Sequence, residues 1–214
     1  MADAWSDAPV ALVTGSASGI VAAVARRLAA EGMRVVVNRV PGPRAGTRLA
    51  AELPDVICFA ADIAVREQAE ALVAATVERY GRLDVLVNSA GAAPIVPHPD
   101  FEAANAKVQR EIFDLGVIGT WQLCVAAMPY LRAGGDGCVV NVSPAADLRP
   151  AGSSLSCAVN DLTRLLATVT GPGVRVHSVA PGPTDTVAQA VLTTVRSRCT
   201  TGEALLTDGA THPR

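Results

Sequence analysis

Short apolar runs alternate with Ala-rich amphipathic stretches along almost the whole chain: Pro9–Val13, Ile20–Glu31, Arg34–Val37, Val56–Ala60, Val65–Tyr80, Leu83–Val87, Ala104–Leu131, Cys138–Val142, Ser154–Val169 and Val174–Val179. Strand, helix and strand in succession lead to parallel pairing, and strands apolar on both faces need helices over both. The pattern predicts an α/β fold whose doubly wound sheet has about seven mostly parallel strands.

Gly32, Gly81, Gly135 and Gly173 stand where helices should end, as left-handed caps do. With 214 residues, half of them apolar, residues 1–214 read as a single domain burying roughly 70–75% of the unfolded surface. After Val179 only a helix, Val187–Arg198, and a strand, Ala204–Leu206, are expected, so the C-terminal part is compressed.

The net charge is −2, and the 17 Arg and one Lys are scattered rather than clustered, which leaves no footprint for nucleic acid or an anionic membrane. Five cysteines without a Cys-x-x-Cys pair encode neither a disulfide framework nor a zinc site. Residues 1–7 lack a signal-like apolar run, and no stretch reads as the ~18–20 apolar residues of a membrane span. A cytoplasmic protein is expected.

The first strand runs into Thr14-Gly15-Ser16-Ala17-Ser18-Gly19-Ile20-Val21. A Gly-rich strand-to-helix turn turns backbone N–H groups and a positive helix end toward a pyrophosphate. Asn88-Ser89-Ala90-Gly91 follows the fourth strand and Asp62 the third. Arg175-Val176-His177-Ser178-Val179-Ala180-Pro181-Gly182, Thr201-Gly202-Glu203 and Asp208-Gly209 follow in order. Together these resemble the short-chain dehydrogenases/reductases over nearly the whole chain, and the resemblance implies a Rossmann-like fold binding NAD(P) at the carboxyl edge of the sheet.

It implies that Gly15, Ser16, Ser18, Gly19 and Ile20 face the pyrophosphate, Asp62 and Ile63 the adenine, Asn88, Ala90 and Gly91 the ribose side, and Pro181, Gly182 and Thr186 the nicotinamide. The family's third glycine is Val21 here, which is expected to crowd the helix–strand contact and weaken binding. Where NAD binding calls for a ribose-binding carboxylate, the chain has Asn38-Arg39. Arg39, with Arg44, could pair a 2′-phosphate, so the expectation is NADP(H), held loosely or not at all.

The family's chemistry uses an Asn, a Ser, a Tyr and a Lys, the cation shifting a phenol that otherwise titrates near 10 toward neutrality. The two tyrosines here, Tyr80 and Tyr130, are each followed four residues on by a residue other than Lys, and the one lysine is Lys107. By resemblance, Gly116 stands for the Asn, Pro144 for the Ser and Cys157 for the Tyr. The Lys position falls on Asp161 without a gap, or disappears if about five residues, more than one helical turn, are deleted after Val159, which matches better. A lid of about thirty residues, a common gating device, is also missing between Thr186 and Val187.

Other residues offer chemistry. A thiol at Cys157 is a nucleophile if a cation or helix end lowers its pKa, and His98 paired with Asp147 or Asp185 suits acid–base work without a cofactor. His177, inside a strand, reads as packed or hydrogen-bonded. Three functions stay open: a divergent biosynthetic enzyme of cyclase, isomerase or dehydratase type, a non-catalytic partner or ligand-binding subunit, and an NADP(H)-dependent carbonyl reductase. The expected partners are a small molecule and, through the helices Ala104–Leu131 and Ser154–Val169, a second copy in a homo-oligomer.

Overall fold

A computed structural model describes residues 7–15, 19–39, 47–53, 56–89, 105–143, 154–181 and 184–207. The order is β1 (Val10–Thr14), α1 (Gly19–Ala30), β2 (Arg34–Arg39), α2 (Thr47–Glu52), β3 (Val56–Ala60), α3 (Arg66–Tyr80), β4 (Val85–Asn88), α4 (Ala106–Phe113), a π-helical turn (Asp114–Ile118), α5 (Gly119–Ala133), β5 (Gly137–Val142), α6 (Ser154–Thr170), β6 (Val174–Ala180), α7 (Thr184–Arg196) and β7 (Ala204–Leu206). The short helix α2, behind a Pro- and Gly-rich stretch, has too little periodicity to be seen in the sequence.

The seven strands pair in the order β3-β2-β1-β4-β5-β6-β7, all parallel. The strand order thus reverses between β1 and β4, and in open α/β sheets ligands bind in the crevice outside the carboxyl ends of the strands at such a point. β1 is buried at every residue, as a central strand covered on both faces must be. Val13, Val35, Val37, Val87 and Val140 pack with α1 and α7. Leu12, Leu86, Val139 and Val176 pack on the other face with α3, α5 and α6. Each such side chain contributes about 1.5–3 kcal/mol relative to exposure.

Gly32, Gly81 and Gly135 adopt the left-handed conformation expected of caps. Gly173 does not; in the turn after α6 the Thr170 hydroxyl shares its one hydrogen between Leu166 O and Val174 O.

The run Ala106–Ala133 passes, by length and composition, as a helix able to cross a membrane, which corrects the sequence expectation that no such stretch exists. Its apolarity has a core function: Leu123, Cys124, Ala127 and Leu131 are fully buried in the cluster that includes α3. β6 ends at Ala180 and α7 begins at Thr184. Thr186 and Val187, between which the resemblance implies a lid, are therefore consecutive residues inside α7.

Candidate functional site at the carboxyl edge

The β1–β4 crevice is closed by side chains of the strands themselves. Thr14 is buried, its hydroxyl donating to Val87 O (3.4 Å) and accepting from the Ser89 N–H (3.3 Å). Gly15 follows at φ +124°, and a Cβ there would lie 2.8 Å from Ser89 O. Only glycine lets the main chain pass so near β4, and α1 then starts at Gly19, its N–H groups facing the crevice. Ile20 is partly buried against the α1 side of the core. Ser16, Ser18, Ala90, Gly91 and Gly182 lie outside the described residues.

Asn38 and Arg39 diverge, as neighbours on a strand do. Asn38 is buried, and its amide donates to Ala61 O (2.9 Å) and Arg39 O (3.2 Å), tying β2 to the segment after β3. Arg39 alternates with it onto the face of Val35 and Val37, the α1 side, and is partly exposed. Its charge reaches the Cys58 thiol, which burial pushes up and Arg39 partly pulls back.

Asp62 turns the chain into α3: its carboxylate accepts from the Ala64 N–H (3.0 Å), and its own N–H donates to Gln68 Oε1 (2.8 Å). The Ile63 side chain is 2% exposed and wedged under α5, where a Cβ on Gly119 would lie 3.0 Å from it. Of Ile63 only the backbone is left to meet an adenine. Pro181 is partly buried at the end of β6. Thr186 Oγ1 donates to Thr207 O (3.4 Å), which ties α7 to the residue after β7.

Asn88 ends β4 facing α5 and α6. Its Nδ2 donates to Asn141 Oδ1 (2.9 Å) and lies 3.5 Å from Cys124 Sγ, and Asn141 Nδ2 donates to Thr163 Oγ1 (2.8 Å). Burial pushes the Cys124 thiol up to about 12. Sequence reasoning missed Asn141 and Thr163; the available signal was an amide inside the apolar run Val140-Asn141-Val142. It also missed Arg175, whose buried guanidinium donates to Thr194 O, Val195 O and Ser197 O at the end of α7 and to Asp136.

The π-helical turn and α6, which carry two of the positions aligned with the proton relay, pack together through Val117 and Val159. Gly116 is buried in the π-helical turn, its carbonyl accepting from Thr120 Oγ1 (2.8 Å); such turns often mark functional sites. Cys157 falls in the first turn of α6, and its side chain, like Pro144, lies outside the described residues. Asp161 is exposed and paired with Arg164 (2.8 Å).

The phenols are elsewhere. α3 runs back from the carboxyl edge, so Tyr80, its last residue, lies at the amino edge, stacked by Arg34 (5.3 Å) and Arg79 (5.2 Å). Tyr130 is in the last turn of α5, at the same edge. Lys107 is exposed on the first turn of α4 beside Glu111 (3.9 Å).

Asp185 is exposed and lines an open groove of about 420 Å³ between α1 and α7 with Arg26, Arg27 and Gln189. His98 and Asp147 lie outside the described residues, so neither His98 pair is brought together by what is described. His177 is packed inside the sheet at 1% exposure. Burial, then Arg175, holds its imidazole below the usual value, with the Thr200 backbone and Glu203 offsetting part.

A doubly wound parallel sheet with a glycine turn at its reversal point defines a dinucleotide-binding class of fold. The short chain dehydrogenase family matches residues 9–196. The chain belongs to that family. It is 48% identical, over 99% of both chains, to the granaticin polyketide synthase putative ketoacyl reductase 2 of Streptomyces violaceoruber. It is 36% identical to the short-chain reductase protein NovJ of Streptomyces niveus, over 84% of this chain and 70% of that one. A crystal structure of a putative short-chain dehydrogenase/reductase from Burkholderia xenovorans superposes with a TM-score of 0.86 at 28% identity, covering 94% of this chain and 96% of the other. The alignment with the granaticin protein runs over 247 positions against 214 residues here, so at least 33 positions fall opposite gaps in this chain.

Proposed function

We propose that this chain is a divergent member of the family that works in biosynthesis on a polyketide-type carbonyl compound without the family's Tyr–Lys hydride-transfer relay. The observation that carries this reading is that both phenols, Tyr80 and Tyr130, lie at the amino edge, across the sheet from the crevice. A carbonyl held at the crevice has no phenol to protonate it, and the one ammonium, on Lys107, is engaged with Glu111 on an exposed helix.

The reaction type that fits is non-redox: cyclisation, isomerisation or dehydration of a poly-keto substrate, whose acidic C–H groups need positioning and mild acid–base help rather than hydride. Positioning alone can supply several kcal/mol of a barrier. The relative's name, a polyketide synthase ketoacyl reductase, supports the substrate class. NADP(H), where bound, would lie on the Gly15–Gly19 turn with Arg39 toward its 2′-phosphate. It supplies hydride chemistry in the family, and here it would shape the pocket.

A further observation bears on assembly under either this reading or that of a non-catalytic subunit. Ile118 of the π-helical turn, Trp121 and Val125 of α5, and Leu165 and Val169 of α6 are exposed apolar residues at helical spacing. We propose that this face pairs with a second copy.

The test is to incubate the protein with a short poly-β-keto thioester, with and without NADPH, and follow mass and cofactor together. Products of unchanged mass, or lighter by one water, with no NADPH consumed support the enzyme reading. Products heavier by two hydrogens with matching NADPH loss overturn it, and an unchanged substrate in every arm leaves the subunit reading in its place.

A further inference from the structure

Asn141 stands in β5 between two others of its kind in role, Asn88 on β4 and Thr163 on α6, all at 3% exposure or less. The orientation of this row is forced. Thr163 has one hydroxyl hydrogen, and it goes to Val159 O one turn back (2.8 Å). Its oxygen can then only accept, so Asn141 must turn its NH₂ toward Thr163 and its carbonyl toward Asn88. Asn88 must in turn present its NH₂, which leaves Asn88 Oδ1 buried with no partner among the described residues.

The row continues beyond Asn88. Asn88 is opposite Thr14 in the β1–β4 ladder and opposite Asn141 in the β4–β5 ladder. The next residue, Ser89, donates its N–H to Thr14 Oγ1, and its carbonyl is the atom that a side chain on Gly15 would strike. A path of side-chain hydrogen bonds, joined through the Asn88–Ser89 peptide link, thus runs from Thr14, which precedes the glycine turn, through β4 and β5 into α6, the helix that carries Cys157.

We propose that Asn141 is a positioning residue: it holds the Asn88–Ser89 end of β4, and through it the glycine turn, in fixed relation to α6. Part of this rests on the cofactor reading above, since the positioned turn is the one that would hold NADP(H). Buried polar rows of this kind act as a unit, and an apolar replacement at one member unseats its neighbours.

The decisive variant is Thr163→Val, which keeps the shape and removes both functions of the hydroxyl; Thr163→Ser restores them. Ser178→Ala is the control, because Ser178 lies opposite Asn141 in the β5–β6 ladder but its hydroxyl donates to Asn160 Oδ1 (2.7 Å) rather than into the row. Amide hydrogen exchange at Val87–Ser89, NADPH affinity and melting temperature are measured on all three and on the wild type. Thr163→Val is expected to speed exchange at Ser89 and weaken NADPH binding about five- to tenfold, the equivalent of one neutral hydrogen bond. Thr163→Ser should return both to wild-type values, and Ser178→Ala should lower the melting temperature alone.

Wild-type exchange and affinity in Thr163→Val, or equal losses in Ser178→Ala, overturn the proposal and leave the row a packing feature. If the wild type binds no nicotinamide cofactor, the cofactor reading falls by itself. The exchange rates at Ser89 in Thr163→Val then support or overturn the bridge without it.

Discussion

A methyl group of Val21 stands 2.9 Å from the point where a side chain on Gly15 would begin. Val21 is 4% exposed, so the residue at the family's third-glycine position fills the space left by the first. The crowding expected from a branched residue there is taken up by the missing Cβ of Gly15, and α1 still packs on β1.

Gly15→Ala is therefore expected to be among the most damaging small substitutions in the chain. The new methyl would meet Ser89 O and Val21 at once, in a backbone conformation that L-residues avoid. Strain alone costs about 1–3 kcal/mol, so chemical denaturation should show a loss of at least that size. Gly19→Ala also carries a positive φ but has open space around it, and should be milder.

Arg39 should set which cofactor is preferred. It projects on the α1 side of β2, whereas Asn38 is turned away into hydrogen bonds with Ala61 O and Arg39 O. Arg39→Ala is expected to weaken NADPH binding about tenfold and leave NADH unchanged, the loss of one charge-assisted contact. Fluorescence titration with both cofactors checks this, and equal losses for the two would show that Arg39 does not face the phosphate.

His177 should make the fold acid-sensitive. Its imidazole is held below 6.5 in the folded chain, first by burial and then by Arg175. The unfolded chain takes up the proton more readily, so its contribution is flat above the unfolded value. Stability then falls as pH drops below about 6.5 and levels off below the folded value. His177→Asn removes that slope. Melting temperatures measured between about pH 7.5 and about pH 5 should converge with the wild type at the high end and exceed it at the low end. Parallel curves would place the acid sensitivity elsewhere.

The fold was legible because each β-α step carries its own signal. The all-apolar Val10–Val13 run fits a doubly covered strand, and Gly81 ends α3 as its position implies. The cofactor edge was legible in part. Gly15 at φ +124° shows why that position is glycine, but Ile63 is buried by its side chain and Thr186 is bonded to Thr207, neither of which a linear motif encodes. Asn141 and Thr163 are 22 residues apart, and nothing in the spacing of a strand and a helix says which side chains will meet. The placement of Tyr80 and Tyr130 at the amino edge follows from helix direction, which becomes definite only once the sheet is known to be parallel.

The exposed row Ile118, Trp121 and Val125 with Leu165 and Val169 should pair two copies. Trp121→Glu together with Leu165→Glu would place charges in that interface, and light scattering should report a monomer where the wild type is a dimer. A wild-type monomer at micromolar concentration would rule this assembly out.

The central claim is that the crevice has no carbonyl-protonating relay, and the direct measurement is NADPH consumption against a panel of aldehydes, ketones, quinones and β-keto thioesters. The wild type is expected to show none. Cys157→Tyr, assayed alongside, should stay inactive, since a phenol there would lack the cation that brings its pKa toward neutrality. Robust wild-type turnover, with product reduced at the carbonyl, would contradict the account and point to His98 or Cys157 as a donor in the tyrosine's place.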